Sequence, residues 1–274
     1  MFINVAQNGK WELNTPQIMG IINITHDSFY ENSRAKSIAG LLAKATQMIA
    51  EGAQILDIGA QSTRPGAEIV NTETELANLI PYVEALKKQF PTQLISIDTF
   101  NPIVAEQALN AGAHIINDIS GASFDTKILV VVSKYKAGYI AMHITGNQLT
   151  MHQIENRSDI ISAIIDYMET KNELLASFGI ENWVMDPGFG FGKTVQENFD
   201  IVKRLQELKV INLPILLGVS RKSSIYKTLG IGPADALNGT TVLNTLGLMN
   251  GASILRVHDV KEAKQIIELL PYLQ

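Results

Sequence analysis

Residues 94–118 read Leu-Ile-Ser-Ile-Asp-Thr-Phe-Asn-Pro-Ile-Val-Ala-Glu-Gln-Ala-Leu-Asn-Ala-Gly-Ala-His-Ile-Ile-Asn-Asp. Residues 94–98 and 114–118 are short runs of branched apolar residues, which is typical of buried strands. Between them, Pro102 suits the first turn of a helix and Ala111-Gly112 suits its end. The stretch therefore predicts a strand, a helix and a second strand of a parallel sheet whose faces are covered by helices.

The same alternation extends along most of the chain. Further apolar runs occupy residues 18–24, 54–58, 138–143, 183–186, 214–219 and 253–257. Helical periodicity predicts further helices at 37–51, 72–90, 125–135, 158–178, 195–208, 234–249 and 260–270, and Pro81 predicts a kink or a break in the second of these. Eight strand–helix units over residues 18–271 predict an α/β fold of the (β/α)8 TIM-barrel type. A doubly wound open sheet is the alternative, although it usually has fewer strands and a reversal in strand order.

The first residues have a different pattern. Residues 1–14 alternate apolar and polar side chains around Asn8-Gly9, which predicts an N-terminal β-hairpin. No linker or low-complexity stretch interrupts the remainder. We therefore expect residues 1–274 to form a single domain, with the hairpin as an appendage of the barrel.

Composition excludes several classes of protein. The 274 residues are 46% hydrophobic, which excludes intrinsic disorder, and 22 basic against 27 acidic residues argue against a nucleic-acid partner. The absence of cysteine excludes disulfides, thiolate metal sites and cysteine nucleophiles. No apolar run approaches the ~18 residues that cross a bilayer, and no signal peptide is visible. These features predict a soluble, cytoplasmic protein without a membrane partner.

In a TIM barrel the active site lies at the carboxyl ends of the strands. Every predicted strand end carries polar residues, and two sets stand out. One set suits a flat heterocycle with an amidine-like edge, such as a pterin or guanine: Asp98, Asn117, Asp186 and Lys222. The other set, cationic and hydroxylic, suits phosphate oxygens: Thr63, Arg64, Arg256 and His258. Any one of these residues alone could equally cap a helix or start a turn.

Seven motifs at these strand ends resemble the dihydropteroate synthase family, in the family's order and over about 240 residues. They are Ile18-Met-Gly-Ile-Ile-Asn23-Ile-Thr-His-Asp27-Ser-Phe29, Ser62-Thr-Arg-Pro-Gly-Ala67, Ile97-Asp98-Thr99, Ile116-Asn117-Asp118, Asp186-Pro-Gly-Phe-Gly-Phe-Gly-Lys193, Ser220-Arg-Lys-Ser223 and Arg256-Val-His-Asp-Val260.

The resemblance implies a transferase of folate biosynthesis. It would join 6-hydroxymethyl-7,8-dihydropterin diphosphate to 4-aminobenzoate, releasing 7,8-dihydropteroate and diphosphate. The resemblance also implies a homodimer, small-molecule substrates and one Mg²⁺ held by Asn23.

The resemblance assigns the remaining residues to four groups. The pterin site would comprise Asp98, Asn117, Met142, Asp186 and Lys222. The diphosphate would contact Thr63, Arg64, Arg256 and His258. The aminobenzoate site, where sulfonamides also bind in this family, would be walled by Phe29, Pro65, Phe191 and Ser223. Catalysis would depend on Lys222, Arg64 and Asp27.

The chain also departs from the family pattern. In the first loop, His26, Tyr30, Glu31, Asn32 and Ser33 replace the usual residues, and the loss of two glycines at Asn32 and Ser33 should stiffen that loop without abolishing its closure. Gln61 replaces a glutamate, and residues 145–153 match only loosely. Two rival functions therefore stay open: a pterin-binding methyltransferase, which needs no diphosphate contacts, and a pterin-binding module without catalytic activity.

Overall fold

The strands form a hairpin and an eight-stranded sheet. The computed structural model describes residues 2–7, 9–24, 31–60, 70–155 and 157–273. The strands in chain order are β1 (Phe2–Val5), β2 (Gly9–Glu12), β3 (Gln17–Asn23), β4 (Ile55–Gly59), β5 (Leu94–Asp98), β6 (Ile115–Asp118), β7 (Gly138–Met142), β8 (Val184–Asp186), β9 (Leu216–Leu217) and β10 (Ile254–Val257). β1 and β2 pair antiparallel, as the Asn8-Gly9 pattern predicts.

The other eight strands form a parallel sheet in the order β8-β7-β6-β5-β4-β3-β10-β9. The sheet is nearly closed, since Met185 forms a parallel bridge with Ile215 between its two ends. The Met185 N–H also donates to the Pro214 carbonyl at 3.0 Å. The order follows the chain without the reversal that a doubly wound sheet requires, so the TIM barrel is confirmed and the open-sheet alternative is wrong.

Nine α-helices occur in the described part of the chain. They are α1 (Glu31–Ala50), α2 (Thr72–Gln89), α3 (Pro102–Asn110), α4 (Lys127–Tyr135), α5 (Ile160–Ser177), α6 (Val195–Lys203), α7 (Ser223–Leu229), α8 (Leu237–Met249) and α9 (Val260–Leu269). Three 3₁₀ segments follow α6, precede α8 and follow α9, at Leu205–Ile211, Pro233–Asp235 and Leu270–Tyr272. None of these helices is both long and apolar enough to cross a membrane.

Several predicted bounds differ from the structure. α2 runs through Pro81 without a break, because the buried side chains Leu79, Tyr82 and Val83 hold both halves against the barrel. β9 has two residues instead of the predicted six. α7 was not predicted, because seven residues are too few to show a helical period.

The amino-terminal end of the barrel is closed by the hairpin. Its side chains Ile3, Val5 and Trp11 are buried in one apolar cluster with residues of seven barrel strands: Met19, Ile55, Ile115, Ile140, Val184, Leu216 and Ile254. The hairpin therefore supplies part of the barrel core and leaves the carboxyl-terminal end as the place for a site.

Candidate active site

Arg256 on β10 connects two carboxylates at the carboxyl end of the barrel. Its Nε donates to Asp57 Oδ2 at 2.6 Å and its Nη2 donates to Asp98 Oδ2 at 2.7 Å. Asn117 Nδ2 donates to the same Asp57 oxygen at 3.1 Å. The guanidinium thus joins β10 to β4 and β5, and Asn117 joins β6 to the same cluster through Asp57. Arg256, predicted for the diphosphate, contacts the pterin set in this structure.

Burial dominates the electrostatics of Asp98. Removal from water raises the pKa of Asp98 to about 7, although the attraction of Arg256 opposes the shift. The nearby charges of Asp57 and Glu75 contribute to the raised pKa in the same direction as burial. Glu75 is itself buried and accepts from the Thr99 hydroxyl at 2.9 Å. Asp98 therefore binds a proton far more readily than an exposed aspartate does.

Asp186 and Lys222 lie on the opposite side of the same end. Asp186 Oδ1 accepts the Gly188 N–H at 2.7 Å, and burial raises the pKa of Asp186 while Lys222 opposes the shift. Burial also lowers the pKa of Lys222 to about 8, with Asp186 acting against it. Lys222 Nζ donates to the Phe189 carbonyl and lies 4.6 Å from the Phe191 ring centroid.

The glycine-rich segment after β8 fits closely around Lys222. Gly190 has a φ of +87°, and a Cβ there would lie 2.8 Å from Lys222 Cδ, so a side chain would strain the backbone and crowd the lysine. Lys193 holds this segment, because its buried Nζ donates to the carbonyls of Gly188 at 2.9 Å and Phe191 at 3.1 Å. Lys193 therefore positions residues 186–192 around Lys222.

His258 at the end of β10 has a defined hydrogen-bond partner. The His258 backbone N–H donates to Ser220 Oγ at 3.2 Å, and the same hydroxyl lies 3.1 Å from His258 Nδ1. In the contact between the Ser220 hydroxyl and Nδ1 either atom can be the donor, according to the tautomer of the ring. Burial lowers the pKa of His258 to about 4, and Arg256 contributes in the same direction. A neutral imidazole, whose Nε2 makes no hydrogen bond among the described residues, thus lies two residues from Arg256.

Two predicted wall residues lie near Lys222. Met142 is buried with Ile119 and Ile144, and Phe191 packs against this cluster. Ser223 is the first residue of α7 and is half-buried. The neighbouring Arg221 has a structural role, because it forms a bidentate ion pair with Asp259 through Nε at 2.9 Å and Nη2 at 2.8 Å.

Asn23 is the last residue of β3 and is exposed next to Gly59 of β4. Among the described residues, no group of three or more His, Cys, Asp and Glu side chains could hold a metal ion. Mg²⁺ commonly binds one or two protein oxygens and completes its shell with water and substrate phosphates. One exposed amide oxygen fits that requirement, whereas a structural metal would need more ligands.

Part of the predicted site lies outside the described residues. This holds for Asp27, Phe29, Thr63, Arg64 and Pro65, and for the departures at His26 and Gln61. The structure brings together Asp98, Asn117, Asp186, Lys222 and Arg256, with Met142, Phe191, Ser223, His258 and Asn23 around the same barrel end.

The sequence interpretation gave no site role to Asp57, Lys193 and Arg157. Asp57 could have been found, because it is an acidic residue within an apolar run on β4, the strand adjacent to the one that ends in Asp98. Lys193 was visible as the last residue of the glycine-rich motif, although nothing in the sequence showed that it turns back onto that motif. Arg157 had no signal, since nothing in the sequence showed that it binds the Gly192 carbonyl 35 residues further along the chain.

The chain is similar in sequence to known proteins. The sequence profile of the pterin binding enzyme family matches residues 19–258. The chain is 41% identical over 255 residues to dihydropteroate synthase of Synechocystis sp., covering 92% of this chain and 88% of that protein. It is 38% identical over 267 residues to dihydropteroate synthase of Escherichia coli, covering 97% and 94%.

Solved structures agree with these relatives. Yersinia pestis dihydropteroate synthase in complex with a sulfonamide drug superposes with a TM-score of 0.91 at 34% identity, covering 100% of this chain and 99% of that one. The Xanthomonas albilineans dihydropteroate synthase with 4-aminobenzoic acid superposes with a TM-score of 0.90 at 31% identity, again covering 100% and 99%.

Proposed function

Because the chain belongs to the pterin-binding enzyme family that includes the dihydropteroate synthases, we propose that it joins 6-hydroxymethyl-7,8-dihydropterin diphosphate to 4-aminobenzoate. The products are 7,8-dihydropteroate and diphosphate. The observation that carries the proposal is the polar cluster at the barrel end, in which the buried Asp98, Asn117 and Asp186 and the half-buried Lys222 come from four different strand ends.

The cluster offers acceptors of the kind that a pterin edge requires. Among the described residues, protein donors occupy Asp98 Oδ2 and Asp186 Oδ1, which leaves the other oxygen of each carboxylate for ring N–H groups. Asn117 donates to Asp57 through its side-chain nitrogen, and its amide oxygen would accept a further ring N–H group. Lys222 supplies a donor for a carbonyl or ring nitrogen. This pattern supports binding of the pterin by its amidine-like edge.

The diphosphate would lie toward His258 and the predicted partners Thr63 and Arg64. His258 donates from Nε2 in the tautomer in which Nδ1 accepts the Ser220 hydroxyl proton. Arg256, two residues earlier in the chain, pairs its guanidinium with Asp98 of the pterin set and with Asp57. Cationic and N–H donors stabilise the negative charge that develops on the departing diphosphate.

The exposed Asn23 side chain would hold Mg²⁺ through its amide oxygen. When bound, the ion neutralises diphosphate charge and so makes diphosphate a better leaving group. Asn23 itself only fixes the position of the ion relative to β3, because the remaining ligands are expected from substrate phosphates and water.

In the proposed reaction, the C–O bond between the pterin methylene and diphosphate breaks, and a C–N bond forms to the aryl amine, which then loses a proton. The electron-rich pterin ring stabilises the cationic methylene. The amine carries its own lone pair and needs no strong base. Phe191 and Ser223 would hold 4-aminobenzoate next to the methylene. The rate enhancement would then come from this positioning and from stabilisation of the diphosphate charge.

A direct assay tests the reaction and both rivals. The protein is incubated with the pterin diphosphate and Mg²⁺, with and without 4-aminobenzoate, and diphosphate and dihydropteroate are measured together. We expect both products in equal amounts when 4-aminobenzoate is present. A methyltransferase or a non-catalytic pterin-binding module would release neither, and that result would overturn the proposal.

We also propose a homodimer of single-domain subunits spanning residues 1–274. The exposed apolar side chains Val242, Leu246 and Met249 recur on one face of α8, as a subunit contact requires. Sedimentation of the wild type and of Leu246→Lys tests it, since the variant should sediment as a monomer.

The shared apolar cluster of the hairpin and the barrel supports the single domain.

A further inference from the structure

Arg157 connects two loops at the candidate site. It lies between β7 and α5, and its side chain is only 7% exposed. Its Nη1 and Nη2 each donate to the Gly192 carbonyl at 3.1 Å, and Nη2 also donates to Thr145 Oγ1 at 3.1 Å. The guanidinium charge is balanced by Glu197 at 3.2 Å and by the exposed Glu155 at 3.6 Å. The fork therefore binds the backbone carbonyl that follows Phe191.

The two loops are also in direct backbone contact. Gly192 has a φ of +55°, and a Cβ there would lie 2.9 Å from the Gln153 carbonyl oxygen and 3.1 Å from that of Met151. Any side chain at Gly192 would separate the loops or strain the backbone. The close approach leaves little freedom for the segment that carries Phe191.

His152 extends this contact to the Phe191 ring. The imidazole stacks on Phe191 with ring centroids 5.5 Å apart and an interplanar angle of 19°. Lys222 Nζ lies 4.6 Å from the centroid of the same ring. The Phe191 ring is thus in contact with an imidazole and with the ammonium that we assign to the pterin site.

We propose that His152 and Arg157 are positioning residues, which hold the Phe191 ring beside Lys222 and so set the affinity for the aryl amine. The inference rests on the proposed function, since it concerns the substrate that Phe191 contacts. A buried arginine needed only to hold α6 would be satisfied by Glu197. Its two bonds to the Gly192 carbonyl place its constraint on the loop that bears Phe191.

Steady-state kinetics of four variants test the inference. In His152→Ala, we expect the KM for 4-aminobenzoate to rise about fivefold, the scale of one lost aromatic stack. His152→Phe should restore it to within about twofold of the wild type, because stacking is retained. In Arg157→Ala the same KM should rise about tenfold, and Arg157→Lys should be intermediate, since lysine keeps the charge without the fork. The KM for the pterin diphosphate should stay unchanged in all four.

Arg204→Ala is the matched control. Arg204 pairs with Asp159 and Glu207 beside the same helices but makes no contact with Gly192 or Phe191 among the described residues. We expect both KM values of this variant to equal those of the wild type.

The possible results separate this inference from the proposed function. A wild type that makes no dihydropteroate would overturn the proposed function and the inference together. If the wild type is active, two results would overturn the inference and leave the proposed function intact. One is an unchanged KM for 4-aminobenzoate in His152→Ala, and the other is a rise of both KM values together. Should Arg157→Ala fail to fold, the contrast between His152→Ala and His152→Phe decides the matter, because rescue by a ring is not expected of a general loss of structure.

Discussion

The two ends of the barrel differ sharply in chemistry although the same strands build both. At the amino-terminal end, hairpin and strand residues form one apolar cluster. Two residues further along four of these strands, the inward side chain is polar. The pairs are Ile55 and Asp57 on β4, Ile115 and Asn117 on β6, Val184 and Asp186 on β8, and Ile254 and Arg256 on β10.

A spacing of two residues keeps both side chains of a pair on the same face of the strand, roughly 7 Å apart. The barrel interior therefore changes from an apolar layer of side chains to a charged and polar layer over two residues of each strand. The apolar layer stabilises the fold through burial, whereas the charged layer must compensate its own desolvation through ion pairs and hydrogen bonds. The comparison predicts that the free energy of unfolding depends on the apolar layer and that catalytic activity depends on the charged layer.

The largest effect should come from Trp11→Ala in the apolar layer. Trp11 is 2% exposed, and removal of a buried aromatic side chain costs about 3–5 kcal/mol of the free energy of unfolding. Denaturant titration measures this loss. We expect kcat and both KM values of the folded variant to match the wild type at low temperature.

Trp11→Phe is the milder companion of that variant. Trp11 Nε1 has no hydrogen-bond partner among the described residues, so phenylalanine removes an unsatisfied donor and should cost clearly less than alanine. Altered KM values in either folded variant would show that the two ends are not separable.

Lys222→Ala in the charged layer should have the opposite result. We expect turnover to fall by at least ~100-fold, the scale of one preorganised electrostatic contact, while the thermal midpoint barely changes. Lys227→Ala, at an exposed position of α7, the helix that follows Lys222, is the control and should be fully active. Normal turnover in Lys222→Ala would remove Lys222 from the site.

The pH dependence of activity should also belong to the charged layer. Burial lowers the pKa of Lys222 to about 8, so its ammonium predominates below that pH and is lost above it. We expect kcat/KM for the pterin diphosphate to fall about tenfold per pH unit above the transition. In Lys222→Arg, any remaining activity should lack this alkaline limb. An identical limb in that variant would assign the titration to another group.

The smallest effect concerns stability and Asp98. Its pKa is 3.8 in the unfolded reference and about 7 in the folded chain, so the folded state binds this proton more tightly. The contribution of Asp98 to stability is therefore full at low pH and is lost as pH rises from about 4 to about 7. Relative to the wild type, Asp98→Asn should gain a few degrees in thermal midpoint across this range, measured by calorimetry. A relative loss with rising pH would mean that Arg256 outweighs burial.

Much of the fold could be predicted because its signals are local. The β-branched runs, the Pro102 and Gly112 helix boundaries and the Asn8-Gly9 turn are each recognisable within a few residues. Features that depend on packing were missed. α7 is too short to show a period, and α2 passes through Pro81 because its buried face holds the helix together.

The sequence by itself determined the barrel, the end that carries the polar groups, and the residue types suited to a pterin and a diphosphate, since chemistry and periodicity are written along the chain. Only the tertiary structure decided which of these residues bind one another. Arg256 binds Asp57 across 199 residues of sequence and Asp98 across 158, and Arg157 binds Gly192 across 35. Such contacts arise from closure of the barrel, which brings strand ends together at distances that no local pattern encodes.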